Sequence, residues 1–242
     1  MRHGPDGGKI WWAAAKVNEG GTIAAERQLP GENFMKGDGS SNEERVRTGR
    51  RYRTDRTEGI SDGVFAVSLT LLILDVRPPE GSVSQLVHGL VLIAPRLGTF
   101  ALSFAIVAYY WLVHHLIFAS LRGVKVALIW ANMLFLLTIA VLPFSTAVLG
   151  RYPLAPVALA IYGANLFACT STLAGVWFVA DRSHVAEQPT VRQRRYIVRR
   201  FGVQLMVALL GIACAFLAPA LALSIFVALP IVFALTYHRG YY

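Results

Sequence analysis

Apolar residues along this chain come in long runs, separated by short segments that hold nearly all the charge. Six such runs stand out, at 59–76, 97–121, 124–149, 154–180, 201–217 and 219–237. Most approach the ~20 residues that a helix needs to cross ~30 Å of hydrocarbon. None shows the ~10-residue alternation of an outer-membrane barrel strand. The pattern predicts an all-α, polytopic integral membrane protein with six transmembrane helices. The last two spans are short, and a tight turn before Pro219 joins them.

Before the first run the pattern changes. Residues 1–52 are rich in Gly, Glu, Arg, Asn and Ser and have no sustained helical period, so they read as a disordered polar and basic tail. No signal-peptide core is present there. Trp11-Trp12 reads as a stray apolar patch, and Met35 as a sensible alternative translation start. Residues 53–239 form the membrane domain.

Composition agrees with this division: 55% of the 242 residues are hydrophobic and only 15% charged, far from a soluble average. The formal charge of +9 raises the question of a nucleic-acid partner, and its distribution answers it. Arg45, Arg47, Arg50, Arg51, Arg53 and Arg56 precede the first span. Arg182, Arg192, Arg194, Arg195, Arg199 and Arg200 lie between the fourth and fifth, while Arg122, Lys125 and Arg239 follow the second and sixth. With an even number of spans, all of these fall on the side of the two termini, and the other side keeps little beyond Arg77, Arg96 and Arg151. This is the positive-inside arrangement with cytoplasmic termini, expected of a protein beside anionic lipid headgroups in the cell membrane. It excludes nucleic acid as the reason for the charge.

Catalytic patterns are absent. No phosphate-binding glycine loop, Ser-His-Asp order, Cys-x-x-Cys pair or His-Glu-x-x-His helix occurs, so neither an enzyme nor a cofactor is expected. Cys169 and Cys214 lie inside apolar spans and read as small buried hydrophobes. His114 and His115 are adjacent, hence ~100° apart on a helix, and cannot share a metal as an i, i+4 pair would. Hydrogen bonding within the bundle, or a place at the interface beside Trp111, is the expected role.

The first span, RTEGISDGVFAVSLTLLILDV, is the most informative stretch. On a helical wheel, Ile60, Gly63, Val67, Thr70, Leu71 and Leu74 fall within one arc of ~100°. Asp62 lies more than ~90° from the middle of that arc, with Ser61 further round. A bare carboxylate in lipid is costly, so Asp62 is expected to turn into the bundle towards His114, His115, Trp111 or Asn132. The stripe itself leaves two readings open. It packs against other helices, or several copies bring it around an axis, where Val67, Thr70 and Leu74 stack as rings in a pore.

These residues resemble a known family, the transmembrane protein 175 family of potassium channels. Its first-span signature Arg-x-x-x-Phe-Ser-Asp is matched by Arg56, Ile60, Ser61 and Asp62, with Ile60 in place of the Phe. Thr70-Leu71-Leu72-Ile73-Leu74-Asp75 matches the span's ending. Trp111, His114 and His115 match the family's Trp-x-x-His-His segment. Asn132 with Leu142-Pro143-Phe144-Ser145-Thr146 matches its Asn…Pro-Phe-Ser/Thr pattern. The resemblance spans about 53–238. It implies a homotetramer built from single six-span units, with the first helix lining a central pore that passes K+ passively. By position it makes Val67, Leu71 and Leu74 the constricting rings and Thr70 the hydroxyl layer. Arg56, Ser61 and Asp62 then tie the helix to its neighbours. A cation- or proton-coupled secondary transporter and a non-conducting membrane structural protein are the alternatives. A transporter predicts inverted repeats and broken helices, and neither is evident in the sequence.

Overall fold

A computed structural model describes residues 38–80, 82–186 and 189–239, with side chains placed within 54–80, 82–186 and 189–230. The readings of Trp11-Trp12, of Met35 and of the tail up to residue 37 lie outside these. The chain divides into two units, Met1–Ser41 and Asn42–Tyr242, and the second holds the helical bundle.

Six helices account for the described fold: α1 (Asp38–Leu74), α2 (Leu86–Ala119), α3 (Val126–Arg151), α4 (Pro156–Arg182), α5 (Val191–Leu217) and α6 (Pro219–Arg239). A short 3-10 turn, Val83–Gln85, precedes α2. Helices α1 to α5 are each long and apolar enough to cross a bilayer, and α6 has a shorter apolar stretch, Pro219–Pro230. The all-α, six-helix membrane fold expected from the hydrophobic runs is the fold observed.

Three starts differ from the expected ones, each for a local reason. α1 begins at Asp38 rather than 59, so residues 38–52, expected in the disordered tail, are helical, because the arginine- and glutamate-rich stretch before Arg56 contains good helix formers and no proline. α2 begins at Leu86 rather than 97, running through Pro95. A proline within a membrane helix loses one backbone bond yet is tolerated where neighbouring groups compensate. α5 begins at Val191 rather than 201, so the fifth span is not short. Its start is fixed by a capping box, in which Gln193 N donates to Thr190 Oγ1 (3.3 Å) and Thr190 N to Gln193 Oε1 (2.9 Å). The five arginines from 192 to 200 therefore extend the helix rather than precede it.

The turns alternate between two ends. At one end the α2–α3 and α4–α5 connections meet: Leu121 bridges Ala186, Arg122 N donates to Val185 O (2.6 Å), and Lys125 Nζ to Ser183 O (2.9 Å). An ion pair between Arg194 and Asp181 (2.9 Å) fastens the start of α5 to the end of α4 there. The connection after Leu217 is the single residue Ala218, as tight as the sequence suggested. α6 returns against α2 and α4, and its Phe226 ring fits where Gly163 of α4 and Gly211 of α5 leave room. A side chain at either glycine would strike that ring, which is how small residues let membrane helices approach.

The core lies among α2, α3 and α4 and is pinned by internal hydrogen bonds. Tyr110 Oη pairs with Thr170 Oγ1 (2.8 Å) and Leu166 O (3.1 Å). Ser103 Oγ lies 3.0 Å from Tyr162 Oη and accepts from Thr146 Oγ1 (2.8 Å). Asn165 bridges α3 and α4, donating to Thr138 O and accepting from Ser145. Polar groups held from water need such partners.

Candidate pore-lining helix and its anchor

Helix α1 has two unlike long faces. Ser61, Phe65, Ser68 and Leu72 are buried to 2% exposure or less. Their spacing of 4, 3 and 4 residues is one helical stripe. On another side lie Ile60, Gly63, Val67, Thr70, Leu71 and Leu74, all exposed in the single chain, with Val67 at 56% and Leu74 at 69%.

A directional chain of hydrogen bonds holds the buried face. His114 Nε2 lies 2.9 Å from Asn132 Oδ1, Asn132 Nδ2 donates to Ser61 Oγ (2.9 Å), and Ser61 Oγ donates to Thr57 O (2.9 Å). Because the amide nitrogen serves Ser61, its oxygen is left to accept, so His114 Nε2 is the protonated nitrogen. Both His114 and Asn132 are buried, which makes each link costly to break. Around them the rings close: His114 stacks on Phe118 (4.2 Å between centroids) and Phe135 (5.6 Å), and Phe65 tilts against His114 (5.7 Å). One helix is thereby fastened to two others, α2 and α3.

A second contact runs along the rim. Trp111 Nε1 donates to Asp62 Oδ1 (2.9 Å), and His115 Nδ1 pairs with Glu58 Oε1 (3.0 Å). Trp111 and His115 stack with ring centroids 5.5 Å apart. Glu58 and Asp62 are one turn apart on α1, Trp111 and His115 one turn apart on α2, so the pairs match across the joint.

The expected site residues therefore separate. Ser61, His114 and Asn132 come together inside the bundle, while Asp62, Trp111 and His115 meet at its edge. Asp62 does not turn inward: its carboxylate is exposed, because its position lies ~100° from Ser61, and it keeps one indole donor. Arg56 and Ile60 lie on exposed parts of α1. Val67, Thr70, Leu71 and Leu74 share the open face. Thr70 Oγ1 donates to Val67 O (2.8 Å), leaving the oxygen's lone pairs directed away from the backbone.

Glu58 was missed by sequence reasoning. The signal was available in the i, i+4 pairs Glu58/Asp62 and Trp111/His115, read together rather than one residue at a time. Tyr109 of α2 was missed too. It accepts from Arg200 Nε (3.1 Å) and from Gln204 Nε2, with the Arg200 guanidinium 5.2 Å from its ring centre, tying α5 to α2. Among the described residues no group of three His, Cys, Asp or Glu could hold a metal.

The bundle and its doubly fastened first helix define a polytopic α-helical membrane protein. A family model described as the endosomal/lysosomal potassium channel TMEM175 matches residues 56–143, the segment holding the anchor. A protein named as a potassium channel from Streptomyces collinus is 33% identical over 141 residues, covering 56% of this chain and 68% of that one. Another so named, from Chamaesiphon minutus, is 30% identical over 199 residues, covering 78% of this chain and 98% of its own. The crystal structure of a lysosomal potassium-selective channel TMEM175 homolog from Chamaesiphon minutus superposes with a TM-score of 0.68 at 29% identity, over 76% of this chain and 97% of the other. This chain belongs to the TMEM175 family. That is a family of ion channels, not of enzymes.

Proposed function

We propose that this protein is a potassium-permeable channel, a homotetramer of six-span subunits that conducts passively and requires no cofactor. The observation that carries this reading is the asymmetry of α1: one face locked to α2 and α3, the other left open along its length. The potassium-channel names of the Streptomyces and Chamaesiphon relatives support the same ion.

Fourfold symmetry places the open face around an axis, so that each exposed residue becomes a ring. Val67, Leu71 and Leu74 form dry aliphatic constrictions that close by dewetting and open when a small helix rotation widens them. Thr70 forms a hydroxyl layer between them. Its proton is engaged with Val67 O, so its oxygen meets a partly dehydrated cation as an acceptor. Asp62 and Ser61 hold the helix and stay out of the ion path. The basic end, with Arg56, Arg122, Lys125 and the α5 arginines, faces the cytoplasm together with both termini, and the protein sits in the plasma membrane.

Flux into liposomes tests the function. Purified protein dissipates a K+ gradient without any counter-transported ion, whereas a coupled transporter needs one. Absence of flux across several pH values and voltages contradicts the proposal.

A further inference from the structure

The five arginines between 192 and 200 are not equivalent. Arg194 turns to Asp181 and Arg200 to the Tyr109 ring and hydroxyl, so these two are used within the subunit. Arg192, Arg195 and Arg199 are exposed and have no acidic partner among the described residues. At ~100° per residue these three share one face of α5, and the same face continues as Gly202, Val203, Met206 and Leu210. All four of those are exposed, and the three side chains are apolar. A side chain added at Gly202 would meet nothing within 4 Å, so the stripe is dented just below its last arginine.

From these observations we infer that this face of α5 is a binding site for one anionic phospholipid of the adjoining leaflet. Arg192, Arg195 and Arg199 engage its phosphodiester, and an acyl chain lies over Gly202, Val203, Met206 and Leu210. Dimensions agree. The arginines span ~10 Å of helix and the apolar part ~12 Å, within the ~15 Å depth of one leaflet's hydrocarbon. Guanidinium forks suit phosphate oxygens, and the dent admits a methylene chain beneath the headgroup.

Charge argues against a second subunit as the occupant. At the end of the bundle where these arginines lie, Glu58 is paired with His115, Asp62 with Trp111 and Asp181 with Arg194. Of the acids with described side chains at that end, that leaves Asp55 and Asp62, the latter bonded only to an uncharged indole, to answer three arginines; both stand on α1, and the same face of another copy would repel the arginines.

The test is native mass spectrometry of the delipidated full-length protein, titrated with phosphatidylglycerol or with phosphatidylcholine of the same chains. The expected result is one phosphatidylglycerol retained per subunit, with at least a ten-fold preference over phosphatidylcholine. Arg195→Gln/Arg199→Gln lowers that preference about five-fold or more, as loss of arginines near an anionic headgroup should. Gly202→Leu weakens retention of both lipids without changing charge, which keeps the test informative should the arginine variant assemble poorly. Arg77→Gln, towards the other end of the bundle, changes neither. Equal retention of the two lipids, unchanged preference in the double variant, or displacement by glycerol phosphate at matched concentration overturns the inference. So does disulfide formation between Met206→Cys copies in the assembled protein, which would make this face a subunit contact.

Discussion

The two faces of α1 are built from the same few residue types and do opposite work. Ser61 and Ser68 sit on the buried face and Thr70 on the open one, and both faces carry aliphatic side chains. What separates them is the partner. Ser61 has Asn132 and, through it, His114, whereas Thr70 reaches only the carbonyl of Val67 on its own helix. Hydroxyls in a membrane helix thus have no fixed role. The neighbour decides whether the group holds the fold or remains available to an ion.

The comparison can be broken by substitution, and the largest effect belongs to the buried face. Phe65→Ala empties the space between His114 and Phe135 and is expected to cost ~3–5 kcal/mol, read as loss of assembled protein on heating in detergent. Asn132→Ala removes the middle of the directional chain, leaving His114 without its acceptor and Ser61 without its donor, though Ser61 keeps its bond to Thr57 O. About 1–3 kcal/mol follows, measured by the same melt, with conduction normal in whatever protein assembles. Asp62→Ala strips one donor of its acceptor at the rim, where water can replace it, so the loss is smaller, ~0.5–1.5 kcal/mol. Normal assembly with altered permeation in that variant would place the acid in the ion path instead.

On the open face the order reverses, with little change in stability and a large change in flux. Thr70→Ala and Leu74→Ala should each alter the melt by no more than ~0.5 kcal/mol, as exposed substitutions do. Thr70→Ala lowers the K+ to Na+ flux ratio, and Leu74→Ala raises leak through the closed protein. A stability loss at Leu74 as large as that at Phe65 would erase the distinction between the faces.

Much of this was readable from sequence because helical periodicity is a strong signal over sixteen residues. The wheel put Val67, Thr70, Leu71 and Leu74 on one side, and the structure leaves those residues exposed. The number of helices followed from apolar runs for the same reason. Boundaries were harder. Charge and proline mark where lipid ends, not where a helix ends, so the arginines before Phe201 and the proline at 95 hid the first turns of α5 and α2. Pairing was hardest. His114, His115, Trp111 and Asn132 were named together as partners for Asp62, yet only Trp111 takes that role, because ~100° of rotation per residue sends Ser61 inward and Asp62 to the edge. Glu58 was overlooked since nothing local marks an acid as the partner of a histidine 57 positions away.

The central claim is that the open face of α1 meets water and ions in the assembled protein. In a Cys214→Ala background, which leaves Cys169 buried, single cysteines at Thr70 and at Ser68 can be exposed to a water-soluble, membrane-impermeant thiol reagent during K+ flux from liposomes. The account predicts that Thr70→Cys is modified and its flux blocked, while Ser68→Cys flux is untouched. Flux through Thr70→Cys that survives the reagent, with the thiol still free afterwards, would contradict it.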